Sequence, residues 1–213
     1  MYILFNDVIQ YSNASDSLKS PMLSDITNIN NTLTITFDST RNINCIGIGN
    51  TNGTIFTVNS QQVNFTENGL YLLNNQSVNQ ITITTNATYI GRLATGQAVN
   101  IPTSIAKEPA YNSTSEPRVT LSGQIIQGKG GYNYRSISLD SRYKINETIM
   151  NEIKNGYKYI GKGYPFFIDL TDESYKLPFN KLYAIDNAQQ NLSFESGVKK
   201  YLYSRRWNFR ECF

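Results

Sequence analysis

The chain has 213 residues, of which 39% are hydrophobic and 16% are charged, and its net charge is +3. This composition supplies enough apolar material for a packed core and too little charge for a disordered chain. There is no histidine, and the only cysteines are Cys45 and Cys212. Ser-His-Asp and Cys-His nucleophile pairs, histidine metal ligands and cysteine-ligated metal sites are therefore excluded. We predict no enzymatic activity, no metal ion and no cofactor.

The first hundred residues carry the pattern of an antiparallel β-sandwich of jelly-roll type. Apolar and polar residues alternate in Leu33–Phe37, which is typical of a half-buried strand. Further short apolar segments recur at intervals of about ten residues, as in all-β sandwiches. These segments are 44–48, 54–58, 69–73, 80–84 and 88–93. No segment of helical period separates them, which argues against a parallel α/β sheet. Residues 1–100 are therefore predicted to form one β-sandwich domain.

Prolines punctuate the next stretch, 101–118, which is predicted to be a connector. Residues 119–213 return to apolar segments and turns, and are predicted to form a β-rich domain with one short α-helix near 146–155. Asn146 is a suitable N-cap for this helix, and Gly156 is expected just past its end. The predicted fold class is mainly β, with a sandwich or jelly roll followed by this second β-rich domain.

Two glycine clusters and one acidic cluster are candidates for chemistry. Gly128–Gly131 and Gly161–Gly163 lack the spacing and the Ser/Thr of a phosphate-binding P-loop, which favours hairpin turns. Asp169, Asp172 and Glu173 form the densest acidic group. An exposed turn is the favoured interpretation of this group. A metal site or carboxylate-based glycoside hydrolysis stays open as an alternative.

The C-terminal segment combines aromatic residues with arginine on both faces of an extended strand. The candidate interface residues are Tyr203, Arg205, Arg206, Trp207, Phe209 and Arg210. Two interpretations stay open. The aromatics could pack in the chain's own core beside solvated arginines, or the segment could form a protein–protein interface, since Trp, Tyr and Arg dominate contact energies. Nucleic acid is a third alternative, which no RNP-like or helix-turn-helix pattern supports.

The N-terminal segment and the hydropathy pattern bear on location. Met1–Asp7 has no basic region, and its hydrophobic stretch of about five residues is shorter than that of a signal peptide. No window approaches the roughly 18 apolar residues of a transmembrane helix. We therefore expect a protein made soluble in a cytoplasm, without a membrane span.

Several stretches resemble a known family. Arg41–Asn52, which follows a strand ending near Phe37, resembles the core strand of galactose-binding-like (discoidin-type) jelly rolls in bacteriophage tail-associated structural proteins. The end of the chain, 196–213, resembles the closing strand of such proteins, and Tyr164–Asp169 and Leu182–Tyr183 fit the same pattern. The resemblance implies a virion protein of the tail, neck or baseplate, assembled in the host cytoplasm in several symmetry-related copies.

The expected function is that of a non-enzymatic virion structural protein. It would contact other tail, neck or baseplate proteins, and its own copies in a homo-oligomeric ring, through protein–protein interfaces. A carbohydrate-binding adhesion module of the virion is one alternative, with a glycan as ligand. A polysaccharide depolymerase that uses Asp169, Asp172 or Glu173 is another. Nucleic acid is not an expected partner.

Overall fold

The computed structural model describes residues 1–113, 118–119, 125–126, 133–141, 144–160, 164–171, 179–186, 195–196 and 202–212. Two large antiparallel sheets and one long helix dominate these residues, which confirms the mainly β prediction and is consistent with a β-sandwich. The helical elements are a 3-10 helix (Val8–Tyr11), α1 (Asp16–Lys19) and α2 (Glu147–Ile160). The strands are β1 (Tyr2–Leu4), β2 (Thr27–Asn28), β3 (Thr32–Thr51), β4 (Ile55–Val58), β5 (Gln61–Asn64), β6 (Gly69–Thr85), β7 (Tyr89–Gly96), β8 (Ala98–Asn100), β9 (Ser104–Ser113), β10 (Arg118–Val119), β11 (Ile125–Ile126), β12 (Asn133–Asp140), β13 (Phe166–Asp169), β14 (Lys181–Asp186), β15 (Glu195–Ser196), β16 (Tyr203–Ser204) and β17 (Arg206–Glu211).

One sheet has six strands in the order β2-β7-β3-β6-β4-β5. Its centre is a ribbon of two long strands, β3 with 20 residues and β6 with 17. The sequence predicted two short strands in place of each, because their middles, 38–42 and 74–79, are polar. Arg41 and Asn42 pair with Val78 and Ser77 between two register irregularities, and most of the side chains in these middles face solvent. The hydrophobic alternation therefore disappears there although the strands do not end.

A register irregularity in β3 changes which side chains face the core. Ile43 and Ile46 lie three positions apart in the sequence, yet both belong to the core of the six-stranded sheet. The register shifts between Ile43 and Cys45, and such a bulge moves the following residues to the opposite face. The 3-10 helix and α1 complete this core with Ile9 and Leu18.

The other sheet has seven strands in the order β8-β1-β13-β14-β17-β12-β9. It takes β1 and β8 from the first hundred residues, so that stretch contributes to both sheets rather than to one sandwich alone. Tyr2 is paired with Asp169, a partner far along the chain that no local pattern can indicate. The strands β17, β12 and β9 form the other end of the sheet, beyond β14.

The stretch 101–118, which the sequence predicted as a connector, contains the ten-residue strand β9. Pro109 lies within β9 and has no N–H to donate to a neighbouring strand. Among the described strands β9 is an edge, and its register with β12 shifts between Ser136 and Ser138, opposite the proline. Edge strands and bulges are where proline is tolerated, so proline spacing alone misidentified this segment.

The seven-stranded sheet packs against other elements on both faces, except along β9, β12 and β17, where one face is partly exposed. One face packs against the six-stranded sheet, where Phe167 and Tyr183 contact Cys45 and its neighbours. Cys45 is fully buried. Gly47 makes this contact close, because a Cβ there would lie 2.2 Å from Cδ2 of Phe167. The other face carries α2 and a second core, built around Ile153 and the aromatic residues of β13 and β17.

The helix α2 is longer than predicted. Its start is confirmed, since Ile149 N–H donates to the Asn146 side chain at 2.9 Å, as an N-cap requires. Its predicted end is wrong, because the helix continues past Gly156 to Ile160. Gly156 faces Phe5, whose Cγ would lie 2.4 Å from a Cβ at that position. The glycine thus serves close packing against Phe5, the residue after β1, and not the end of the helix.

Candidate functional site

The C-terminal strand β17 buries one of its faces in the chain's own core. Trp207 and Phe209 are 0% and 1% exposed, and their rings stack with centroids 5.8 Å apart. The Trp207 Nε1–H donates to Oγ of Ser141 at 3.0 Å, so the polar atom of the indole is satisfied. These aromatics are core residues, as one of the two sequence interpretations expected, and they offer no surface to a partner.

Arg205 is also internal, where it forms an ion pair with Asp186. The side chains are 2% and 0% exposed, and Arg205 Nη2 lies 2.6 Å from Asp186 Oδ2. The same carboxylate accepts hydrogen bonds from the Tyr157 hydroxyl at 2.8 Å and from the Asn208 N–H at 3.2 Å. Burial and the Asp186 charge raise the pKa of Tyr157, which keeps its hydroxyl a donor. The guanidinium also lies over the Trp207 ring, at 4.5 Å from its centroid.

The remaining candidate interface residues are more accessible. Arg206 and Arg210 are exposed, and Tyr203 is half-buried. The Arg210 guanidinium lies 4.4 Å from the centroid of the Tyr134 ring. Arg206 is opposite Asp140 in the strand register. Neither arginine forms an ion pair with any residue in the described ranges.

Small polar side chains lie between these two arginines and the sheet edge. Ser138 Oγ donates to Oδ1 of Asn208 at 2.7 Å, and Asn112 Nδ2 donates to Oγ of Ser136 at 2.7 Å. These bonds link β9, β12 and β17 across one face of the sheet. We call this surface the outer face, and it consists of Asn112, Tyr134, Ser136, Ser138, Asp140, Arg206, Asn208 and Arg210.

The outer face ends at the edge strand β9. Its outward N–H and C=O groups have no neighbouring strand among the described residues. Tyr111, on this strand, is 66% exposed, and its ring meets that of Phe179 edge-on at 6.3 Å. An exposed edge of this kind can pair with another chain.

A charged bridge between the two sheets was missed by the sequence analysis. Glu67 pairs with the Arg135 guanidinium and accepts backbone N–H bonds from Asn180 and Lys181 at 2.9 and 3.0 Å. Arg135 also pairs with Glu211, at 2.6 Å from Nη2 to Oε1. Glu67 lies in a short polar turn, which from sequence indicates a solvated acid. Nothing local shows that the other sheet supplies its partners.

A cleft of about 230 Å³ opens where the 3-10 helix, β7 and residues 164–166 meet. At its wall Asp7 Oδ2 lies 2.5 Å from Nη2 of Arg92. The other carboxylate oxygen accepts the N–H groups of Ile9 and Thr95 at 3.0 and 3.1 Å. Burial raises the pKa of Asp7, against the opposing influence of Arg92.

One buried donor of Arg92 has no acceptor among the described residues. Arg92 Nη1 donates to the Leu18 carbonyl at 3.0 Å, but its Nε–H has no partner among the described residues. An unsatisfied buried donor costs about 1–3 kcal/mol.

Of the acidic group and the two glycine clusters that the sequence offered as candidates, the described residues include only Asp169. Asp169 is 4% exposed, lies 3.1 Å from Nζ of Lys181 and accepts the Thr171 N–H at 2.8 Å, so it is engaged within the fold. Asp172 and Glu173 lie outside the described residues, as do the two predicted glycine turns, 128–131 and 161–163.

Among the described residues, no three His, Cys, Asp or Glu side chains are grouped as a metal ion would need. No helix in the described part of the chain is long and apolar enough to cross a membrane. Comparison with known proteins found no matching family model, no matching curated protein and no matching solved structure.

Proposed function

We propose that this chain is a non-enzymatic structural protein of a bacteriophage virion, located in the tail, neck or baseplate, and that it contacts its neighbours through the outer face. The observation that carries this proposal is the composition of that face. It combines Tyr, Ser, Asn and Arg, the residue types that supply adaptable hydrogen bonds and strong anchors in protein–protein contacts. Arg206 and Arg210 are exposed there and form no ion pair with a described residue.

The ion pairs inside the fold hold the strands that carry the outer face in fixed positions. Arg205 is neutralised by Asp186 inside the core, and Arg135 by Glu67 and Glu211 at the junction of the sheets. These pairs connect the strands that carry the outer face to their neighbours. A partner would therefore meet a surface that is largely formed before contact, which lowers the entropy cost of assembly.

The neighbour that we propose is a second copy of this chain. The outer face runs into the β9 edge, so a neighbouring copy can combine side-chain contacts with pairing along that edge. A contact between two different patches of identical subunits closes into a ring when the rotation permits. Other virion proteins would then contact the ring.

The first test is peptide mass spectrometry on density-purified particles from the source culture, scaled to copies per particle. We expect the chain at a fixed multi-copy ratio. Its absence from clean particles would overturn the proposal.

The second test addresses the outer face. The mass of the purified chain is measured by light scattering for the wild type, for Arg206→Glu/Arg210→Glu and for a control, Lys144→Glu/Lys158→Glu, which reverses two exposed charges near and on α2. We expect oligomers for the wild type and the control, and monomers for the arginine variant. Equal masses for all three proteins would contradict the assignment of the interface, whatever the particle analysis shows.

A further inference from the structure

We infer that copies of this chain are joined by Tyr111 of one copy, whose side chain enters the cleft at Asp7 and Arg92 of the next copy. This inference rests on the proposed function, because a ring of identical subunits needs two different patches, and the outer face with its β9 edge is one of them. The cleft is the second patch. The exposure of Tyr111, the lining of the cleft and the places of both in the fold identify the occupant.

Tyr111 protrudes from the edge strand β9. At 66% it is the most exposed of the large hydrophobic side chains in the described part of the chain. Its ring meets Phe179 edge-on, with the centroids 6.3 Å apart, and its hydroxyl forms no hydrogen bond with a described residue. Tyrosine combines an apolar body with a polar tip, and it is enriched among the residues that dominate contact energies. Tyr111 therefore has the character of an anchor for a partner that offers a pocket.

The cleft has room for one such side chain. Its volume of about 230 Å³ is below the roughly 300–1,000 Å³ of sites for drug-sized ligands, which restricts its occupant to about one ring. Tyr11, which is exposed, and Tyr164 and Pro165, which are half-buried, all line the cleft. They offer aromatic and apolar surface to an incoming ring, as aromatic pairs require.

Charge and hydrogen bonding in the cleft also favour a neutral phenol. Asp7 and Arg92, the only charged side chains among the described residues that line it, pair with each other at 2.5 Å. A charged side chain would therefore find no uncompensated partner there. Gln10 donates its amide N–H groups to Asp7 and to the Lys19 carbonyl, and its oxygen accepts no hydrogen bond from a described residue. That oxygen can accept the hydroxyl of an inserted tyrosine.

Tyr111 cannot reach the cleft of its own chain. It lies on β9, at one end of the seven-stranded sheet, whereas Leu4 and Phe166 bring β1 and β13 to the cleft. Four strand spacings separate β9 from β13, about 19 Å at roughly 4.8 Å each, which is farther than a tyrosine side chain extends. Two complementary patches this far apart on one chain meet only between copies, and such contacts run head to tail.

The test measures self-association of the full chain by sedimentation velocity over a concentration series. Tyr111→Ala removes the anchor, and Asn6→Trp places a bulky ring at the cleft from an exposed position. The control, Ile55→Ala, truncates an exposed side chain on β4 of the other sheet. We expect each of the first two variants to associate at least about 10-fold more weakly than the wild type, as truncation of an anchor does, and the control to associate like the wild type.

A mixture of the two variants tests the head-to-tail arrangement. Tyr111→Ala keeps an open cleft and Asn6→Trp keeps the anchor, so an equimolar mixture should form a one-to-one heterodimer that grows no further. Native mass spectrometry identifies this species from the masses of its two chains. No heterodimer in the mixture, or wild-type association of Tyr111→Ala, would overturn the inference. Thermal unfolding of each variant verifies that the fold is intact.

Failure of the inference is distinguishable from failure of the proposed function. If Arg206→Glu/Arg210→Glu is monomeric while Tyr111→Ala associates like the wild type, the outer face stands as an interface and the cleft is not its counterpart. A wild type that stays monomeric at every concentration would overturn both this inference and the second copy as neighbour. Detection of the chain in purified particles would even then support the virion assignment.

Discussion

Removing the charge of Asp186 provides the sharpest test of how the core is held together. In Asp186→Asn one acceptor oxygen remains where the wild type has two, so the amide can accept from Tyr157 or from the Asn208 N–H but not from both, and Arg205 loses its charged partner. Breaking a buried ion pair by removing one member costs about 3–5 kcal/mol, because the other charge stays buried and uncompensated. We expect a loss of about 3 kcal/mol in the free energy of unfolding, a large part of the about 5–15 kcal/mol of a typical domain.

The measurement is urea denaturation followed by the fluorescence of Trp207, the only tryptophan, whose ring lies 4.5 Å from the Arg205 guanidinium. The companion variant Arg205→Met/Asp186→Asn removes both charges and keeps the chain packed. It should recover at least half of the loss, since a neutral apolar replacement of a buried pair is often tolerated. A loss below about 1 kcal/mol for Asp186→Asn, or a double variant less stable than the single one, would refute the reasoning.

Three further predictions concern the sheet junction, the cleft and the thiols. Gly47→Ala should lower the free energy of unfolding by about 1–3 kcal/mol, because its methyl group would force Phe167 away from β3. A free energy of unfolding equal to that of the wild type, measured by urea denaturation, would contradict this prediction. Burial raises the pKa of Asp7 above 3.8, so the folded state binds this proton more tightly than the unfolded state. The free energy of unfolding of the wild type, relative to that of Asp7→Asn, should therefore decrease as pH rises from below 3.8 through the raised pKa. Urea denaturation of both proteins over a pH series measures this difference, and an increase of the difference with pH would contradict the prediction. Burial also raises the pKa of Cys45 and of Cys212. A thiol reagent at neutral pH should therefore leave Cys45 unmodified until the protein unfolds and should react slowly with half-buried Cys212, as measured by intact mass. Rapid labelling of Cys45 in the folded protein would show that the junction between the sheets opens.

The sequence predicted best where one local rule decides the outcome. The Asn146 cap follows from capping chemistry. Alternation predicted an extended strand in the C-terminal segment, as β17 shows. It could not decide whether the face with Trp207 meets the chain's own core or a partner, because both environments favour aromatic residues.

The features that the sequence analysis missed depend on residues far apart in the chain. Asp7 and Arg92 are 85 positions apart, and Glu67 and Arg135 are 68 apart. Each looks like an ordinary surface charge in its own segment. The end of α2 was misplaced for a different reason, because the glycine signal at 156 reports a close contact with Phe5 as readily as a helix end. Local patterns thus identified strands and faces but not the pairs that join them.

The position of β17 has a consequence for how the protein is made. Among the described strands of the seven-stranded sheet, β17 is the only link between β14 and β12, although it comes last of the seven in the chain. Until β17 has been synthesised, the described strands of this sheet can exist only as two separate blocks, β8-β1-β13-β14 and β12-β9. Each block then has an open strand edge with unpaired backbone groups, the condition under which nascent chains associate wrongly. Yield in a heterologous host should therefore depend on temperature and on chaperones that hold unfinished chains.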